Sequence, residues 1–527
     1  MEQGRSTHDY DYIIVGSGFG GSVSALRLSE KGYKVLVLEK GRWYRQQDFA
    51  RTNWNLPKVF WLPALRFFGI MKMSLFRHIT ILSGVGVGGG SLVYANTLPM
   101  PPEAFFTSGN WKGLADWKEE LKPHYETACR MLGATPNPHL DAGDHALQQL
   151  ARETEREQYF EPTNVAVFFG QAGETVADPY FEGEGPERAG CTLCGGCMTG
   201  CRHNAKNTLD KNYLYLAQKR GAVVRAESEV YDISPLGAPD GSEGYTVRFR
   251  QSTSLFRRKH ALTCRGIVLA GGVLGTVPLL LKLKRASLPR LSDRLGYDIR
   301  TNNESLIAVT TMDKGPDLSK GVAISSILHT DQYSHLEPVR YAAGSGFWRL
   351  LMMPMAHGPN VFIRLAKAAW DWLSHPLANL KVAFVADWAR RTQILLFMQA
   401  LDSTLRFSRG WLGMRSHLGQ GPAPSAFIPE AEALAKHYGR IIKGKPNAFI
   451  LEPWLGIPST AHILGGAVMG RTAAEGVIDK DNRVFGYHNM LVCDGSMISA
   501  NPGVNPSLSI TAITERAMGK VGRGVKG

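Results

Sequence analysis

Residues 11–39 carry a pattern that few folds satisfy. A short apolar run, DYIIV, leads into Gly16-Ser17-Gly18-Phe19-Gly20-Gly21, then the helix-forming stretch SVSALRLSEKG, then a second apolar run, KVLVLEKG, which contains Glu39. In order these read as strand, tight turn, helix and strand, the opening of a Rossmann-like dinucleotide-binding unit. Gly16 permits the tight turn, Gly18 lets backbone approach a pyrophosphate, and Gly21 permits close helix–strand packing. The pyrophosphate would sit on the positive N-terminus of the helix. Glu39 is placed to accept hydrogen bonds from a ribose, and its carboxylate tells against NADP, whose extra phosphate it would repel.

Two further segments point to the same site. Gly84–Leu92 (GVGVGGGSL) is a second glycine-rich run, too close to the first to begin another βαβ unit. The bare backbone N–H groups of Gly88, Gly89, Gly90 and Ser91 suit a flat flavin ring. Near the C-terminus, MLVCDGSMISANPGVNPSLSITAITERAMG reads as strand, Asp-Gly turn, loop and helix. Asp494 and Gly495 end the strand where a polar group can meet a cofactor's ribityl chain, and the helix begins near Pro506 with its N-terminus turned back toward the site.

The N-terminal fingerprint, GVGGGSLVYAN, GIVLAGGVLGT (266–276), STAHILGGAVMG (459–470) and CDGSMISANPGVNPSLSITA (493–512) resemble the glucose–methanol–choline (GMC) oxidoreductase family, in the family's order and over almost the whole chain. Within it the resemblance is to the cysteine-bearing actinobacterial cholesterol oxidase branch. It implies an α/β fold in which a Rossmann-like FAD-binding domain is assembled from discontinuous segments beside an α+β substrate-binding domain. The FAD domain would take residues 8–50, the glycine-rich loop 80–100, 205–305 and 455–527. Residues 51–79 would form a basic amphipathic lid facing a membrane, 101–204 a helical and cysteine-bearing region, and 306–454 the substrate domain.

The resemblance also implies a chemistry: hydride passes from a carbinol carbon to flavin N5 while protein groups take or share the hydroxyl proton. His462 matches the family's active-site histidine, and Asn505 the asparagine paired with it in sterol-oxidising relatives. Glu337, in HLEPVRYAAG, is a candidate proton acceptor, with the alternative that it ends a strand and pairs with Arg340. Many relatives carry an asparagine where this chain has Tyr94. In an extended segment Tyr94 and Asn96 would share a face, which makes Asn96 a candidate flavin contact.

Four of the seven cysteines, Cys191, Cys194, Cys197 and Cys201, are spaced C-x2-C-x2-C-x3-C, as in bacterial ferredoxins whose thiolates ligate iron–sulfur clusters. Iron–sulfur dehydrogenases of the same superfamily have a similar cluster before an Ala-Lys step, here Ala205-Lys206. The expectation is an iron–sulfur cluster that hands electrons from flavin to an external acceptor (protein, quinone or O2), with zinc or free thiols as alternatives.

The formal net charge is +14, and two stretches concentrate it. Residues 51–78 carry five basic side chains and no acidic one, and residues 341–420 carry nine basic against three acidic, with five tryptophans. Basic residues mixed with Trp, Phe and Leu suit an interfacial, anionic membrane surface, although amphipathic helices facing a core would give the same pattern. No nucleic-acid module accompanies the charge. The N-terminus lacks the pattern of a secretory signal, and a clustered, odd number of cysteines argues against a disulfide framework. The expected location is the cytoplasm, peripheral to the inner face of the membrane. The expected activity is oxidation of a sterol or 3β-hydroxysteroid, with a long-chain or terpenoid alcohol dehydrogenase and an electron-transfer flavoprotein subunit as alternatives.

Overall fold

The computed structural model describes residues 8–524 apart from Leu412; the end of the expected 455–527 segment, 525–527, lies outside the described residues. The opening pattern folds as it reads: strand β1 (Tyr10–Val15), helix α1 (Phe19–Glu30) and strand β2 (Val35–Leu38), with β1 and β2 parallel. Both strands are covered on both faces, which is why their sequences are almost continuously apolar.

They belong to a seven-stranded sheet. Its parallel part runs Val223–Arg225, β2, β1, Lys259–Leu269 and Met490–Val492. Tyr245–Gln251 and Ser228–Pro235 extend it antiparallel from the first half of Lys259–Leu269. Helix α1 packs against the helices Tyr213–Lys219 and Ser507–Gly519. Arg27 locks that layer by donating to both carboxylate oxygens of Glu515, at 2.7 and 2.9 Å.

A second seven-stranded sheet is antiparallel throughout, in the order Met352–Pro354, Gly444–Phe449, Ser305–Thr311, Thr392–Gln399, Ser334–Val339, Ser326–His329, Phe160–Pro162. Alternation gives it two distinct faces. Ile307, Val309, Leu336, Leu395 and Phe397 pack under the helices Ala142–Glu153 and Pro429–Ile441. Ala308, Val339, Ile394, Leu396 and Phe449 face the other way, toward the first sheet. A small third sheet, Met71–Leu75, Thr80–Gly84 and Ser459–Thr460, lies alongside. Among the described residues no helix is long and apolar enough to cross a membrane.

Candidate active site

The carboxyl ends of the parallel strands and the inward face of the antiparallel sheet enclose a cavity of about 650 Å³. Val15, Leu38, Ala270 and Asp494 mark the strand ends; Leu306, Val339, Ile394, Leu396 and Phe449 come from the antiparallel sheet. A crevice beyond the carboxyl ends of parallel strands is where open α/β sheets bind ligands.

At one end the two glycine runs meet. Gly16 has φ +102°, and a Cβ there would lie 2.3 Å from the Ala270 carbonyl oxygen. A Cβ on Gly21 would lie 2.1 Å from the Gly16 carbonyl oxygen, so Gly21 packs helix against turn. Gly18 is different: it lines the cavity, and no protein atom lies within 4 Å of where its Cβ would be. A bare backbone open to the cavity at a helix N-terminus is the cradle a pyrophosphate needs, so the residues present fit FAD. Glu39 lines the cavity and braces the turn, accepting from the Ser17 N–H (3.1 Å), the Ser17 hydroxyl (2.8 Å) and the Gly41 N–H (2.8 Å).

In the second run Gly89 and Gly90 line the cavity, and a Cβ on Gly89 would lie 2.7 Å from Gly18 Cα. Gly88 and Ser91 do not line it. The Ser91 hydroxyl donates to the Gly88 carbonyl (2.7 Å) and accepts from the Leu209 N–H (3.1 Å), so the pair holds the turn. At Asn96 the backbone departs from the extended reading. The segment is a 3₁₀ turn over Gly89–Leu92, and Asn96 itself is left-handed at φ +72°, so alternation does not apply. Tyr94 lines the cavity; Asn96, between the cavity-lining Ala95 and Thr97, is buried and is not itself part of the lining, and its side-chain amide has no hydrogen-bond partner among the described residues.

Asp494, Gly495 and Pro506 all line the cavity. Asp494 accepts from the Gly272 N–H (2.9 Å), the Thr276 hydroxyl (2.5 Å), the Ser496 N–H (2.8 Å) and the Ser496 hydroxyl (2.5 Å); burial raises its pKa. Pro506 precedes the helix Ser507–Gly519, whose first turn meets the cavity at Ser507 and Ile510.

His462 and Asn505 come together deep in the cavity, with the Asn505 amide nitrogen 3.4 Å from His462 Nε2. On its other side His462 Nδ1 lies 2.7 Å from Glu304 Oε1. Burial works against the imidazolium, but the charge and hydrogen bond of Glu304, with Glu337 behind it, outweigh burial and raise the pKa of His462. Glu337 does not pair with Arg340, which binds Asp144 at 3.0 Å instead. It lies mid-strand, on the same face as cavity-lining Val339, fully buried. His335 Nε2 lies 3.3 Å from one of its oxygens, but neither oxygen makes a hydrogen bond.

Glu304 went unrecognised in the sequence. Asn-Asn-Glu before an apolar strand reads as an ordinary turn, and nothing local ties it to a histidine 158 residues away.

Cys191, Cys194, Cys197 and Cys201 line one small cavity of their own. Among the described residues no group of three or more His, Cys, Asp or Glu is arranged to hold a metal ion, so the expected metal centre gains no support from their geometry. Instead Cys191, Cys197 and Cys201 pack as small apolar side chains against Val165, Val167, Ala205 and Val322. Lys206, fully buried, ties this loop to the cofactor side by donating to the carbonyls of Cys197 (2.8 Å), Leu92 (3.0 Å) and Tyr94 (2.9 Å).

Comparison with known proteins agrees with this architecture. Residues 10–284 and 421–514 match the N- and C-terminal family models of the GMC oxidoreductases. The chain belongs to the GMC oxidoreductase family. It is 45% identical over 524 residues to a cholesterol oxidase of Acinetobacter baumannii, covering 97% of this chain and 94% of that one. It is also 45% identical over 532 residues to a cholesterol oxidase of Mycobacterium tuberculosis, covering 97% and 90%. Pyridoxine 4-oxidase from Mesorbium loti has the same fold, with a TM-score of 0.60 at 13% identity over 97% of this chain and 98% of that one. As a GMC oxidoreductase the chain is an FAD-dependent alcohol oxidoreductase.

Proposed function

We propose that the chain oxidises the hydroxyl of a sterol or 3β-hydroxysteroid to the ketone. The observation that carries this reading is the position of His462 and Asn505 in the same cavity as an apolar wall formed by Leu306, Val339, Trp348, Ile394, Leu396 and Phe449. A rigid, fused-ring alcohol offers one polar group and a broad hydrocarbon surface. Such a wall rewards the surface, while the His462–Asn505 pair selects where the hydroxyl goes.

FAD, when bound by the Gly18 cradle and the Asp494–Gly495 turn, supplies the hydride acceptor. The chain's own residues do the rest. Asn505 and His462 hold the alcohol oxygen, and His462 Nε2 takes its proton. The apolar wall excludes water from the reacting carbon. Two similar relatives named cholesterol oxidase support a sterol substrate and favour dioxygen as the electron acceptor. The electron route proposed here leaves the four cysteines out, because among the described residues no ligand set is arranged to hold a metal ion.

The proposed location is peripheral to an anionic membrane. Helices Val361–Ser374 and Pro376–Ala383 expose Phe362, Trp370, Leu373 and Leu377, followed by exposed Phe384, with Arg364, Lys367 and Lys381 among them. The first of these helices packs against the strand Met352–Pro354, whose Met352 lines the cavity. A surface that meets lipid there would deliver a membrane alcohol close to the pocket.

The test is turnover of a panel of sterols, 3β-hydroxysteroids and long-chain alcohols by the FAD-loaded chain in air, measuring ketone and hydrogen peroxide. The reading expects sterols to lead on kcat/KM. Preference for a linear alcohol would replace the substrate, and no turnover of any alcohol would overturn the reading.

A further inference from the structure

A histidine that accepts a proton at one ring nitrogen needs the other held in a defined state. In His462 that second nitrogen is Nδ1, and its partner is Glu304 at 2.7 Å. The Glu304 carboxylate is fully buried and makes no ion pair with a lysine or arginine among the described residues. Both of its oxygens grip the histidine's own segment: Oε1 accepts from the Thr460 hydroxyl (2.7 Å) and Oε2 from the Ala461 N–H (2.9 Å). Thr460 in turn accepts from the His462 N–H at 2.9 Å.

The backbone is bent to make this contact. Asn302 and Asn303, at φ +55° and +44°, turn the chain sharply just before the strand Ser305–Thr311. The Asn302 side chain donates to the Val504 carbonyl at 2.8 Å, tying this turn to the loop that carries Asn505. One turn therefore sets both partners of the alcohol oxygen.

We infer that Glu304 is the positioning residue of the site: it holds His462 with the Nδ1 proton turned inward, so that Nε2 presents its lone pair to the cavity beside Asn505. The inference rests on the alcohol oxidation proposed above. In that reaction the alcohol O–H bond breaks and its proton passes to Nε2. The electron pair left on oxygen forms the carbonyl as hydride leaves the carbon for the flavin. The imidazolium that results is stabilised by the Glu304 charge, the role of the carboxylate in a carboxylate–histidine pair. The charged groups facing His462 are Glu304, from the turn before Ser305–Thr311, and Glu337, from Ser334–Val339; the Asn505 loop contributes a neutral amide.

The test compares the FAD-loaded wild type with Glu304→Gln, Glu304→Asp and Thr460→Val. His462 titration is read from histidine ¹⁵N spectra, assigned by the signal lost in His462→Asn. Flavin reduction by substrate is followed anaerobically across pH. Glu304→Gln is expected to move the His462 titration and the acid limb of flavin reduction together to lower pH. It should slow reduction about 10-fold or more, up to the ~10²–10⁴ that an acid–base group contributes.

Glu304→Asp should restore the limb toward its wild-type position, and Thr460→Val, which removes a neighbouring hydrogen bond but no charge, should leave the limb in place. An unchanged His462 titration in Glu304→Gln, or an equal shift in Thr460→Val, would overturn the inference. If Glu304→Gln fails to fold, Glu304→Asp carries the test, because its withdrawn carboxylate must lower the His462 titration below wild type. The spectra need no substrate, so a chain that oxidises no sterol would refute the substrate reading and leave the Glu304 assignment standing.

Discussion

Three glycines of the first turn should fail in three different ways. Gly18 has φ −71° and ψ −164°, extended backbone that any residue adopts, and its Cβ position is clear of protein atoms. Gly18→Ala should therefore fold normally and lose only cofactor affinity, because the new methyl occupies the pyrophosphate's place. Overpacking by one methyl costs typically ~1–3 kcal/mol, which corresponds to an FAD affinity weaker by roughly 5- to 150-fold.

Gly16→Ala carries both a positive φ of +102° and a 2.3 Å clash with backbone. Conformational strain of ~1–3 kcal/mol adds to a similar overpacking term, so this variant should lose stability before cofactor binding is considered. Gly20→Ala is the most severe, since its Cβ would lie 1.5 Å from the Cys493 carbonyl oxygen and force α1 off the sheet. Thermal melts of the apo-proteins and FAD titrations separate the cases. Gly18→Ala should melt with the wild type as apo-protein and lose part of the stabilisation that FAD adds by mass action. If Gly18→Ala binds FAD as tightly as the wild type, the pyrophosphate does not lie against this turn and the cradle is misassigned.

His462→Ala and Asn505→Ala should each retain flavin and lose ~10²–10⁴ in turnover; near-normal rates with bound flavin in both would remove them from the chemistry. Cys197→Ser and Cys201→Ser should keep flavin content and substrate-driven flavin reduction, since these side chains pack away from the His462 cavity. Iron and acid-labile sulfide at cluster stoichiometry in the anaerobically purified wild type would overturn the packed-thiol description. Trp370→Ser combined with Leu373→Ser and Phe384→Ser should reduce sedimentation with anionic phospholipid vesicles while turnover of a detergent-solubilised sterol persists; undiminished sedimentation would assign membrane contact to another surface.

What could be read from the sequence depended on how local the physical signal was. The β1–α1–β2 unit was legible because turn chemistry, strand composition and the acid at Glu39 lie within thirty-odd contiguous residues. His462 and Asn505 were found through motif resemblance; their 3.4 Å approach could not be read from their separation in the chain. Glu304 was missed because its partner, His462, lies 158 residues further along the chain. The second sheet was illegible in its order, since its neighbouring strands come from positions as distant as 160–162 and 326–329. The alternation assumed between Tyr94 and Asn96 does not hold, because Asn96 is left-handed at φ +72°, which no local sequence signal announces. The cysteines show the limit of spacing as a signal: it brings four thiols to one cavity without requiring a ligand geometry.

The contact between Gly20 and the Cys493 carbonyl bears on how the protein is made. The strand Met490–Val492 completes the sheet beside Lys259–Leu269, and Glu515 clamps Arg27 of α1. A ribosome therefore releases the first glycine turn long before the segments that support it exist. Until residue 515 or so has emerged, α1 exposes the face that the helix Ser507–Gly519 later covers, the condition in which nascent chains aggregate or engage chaperones. Capture of FAD becomes a late event of biosynthesis, and a ribosome stalled before residue 490 would hold a nearly complete chain with the fingerprint of a nucleotide site and no means of closing it.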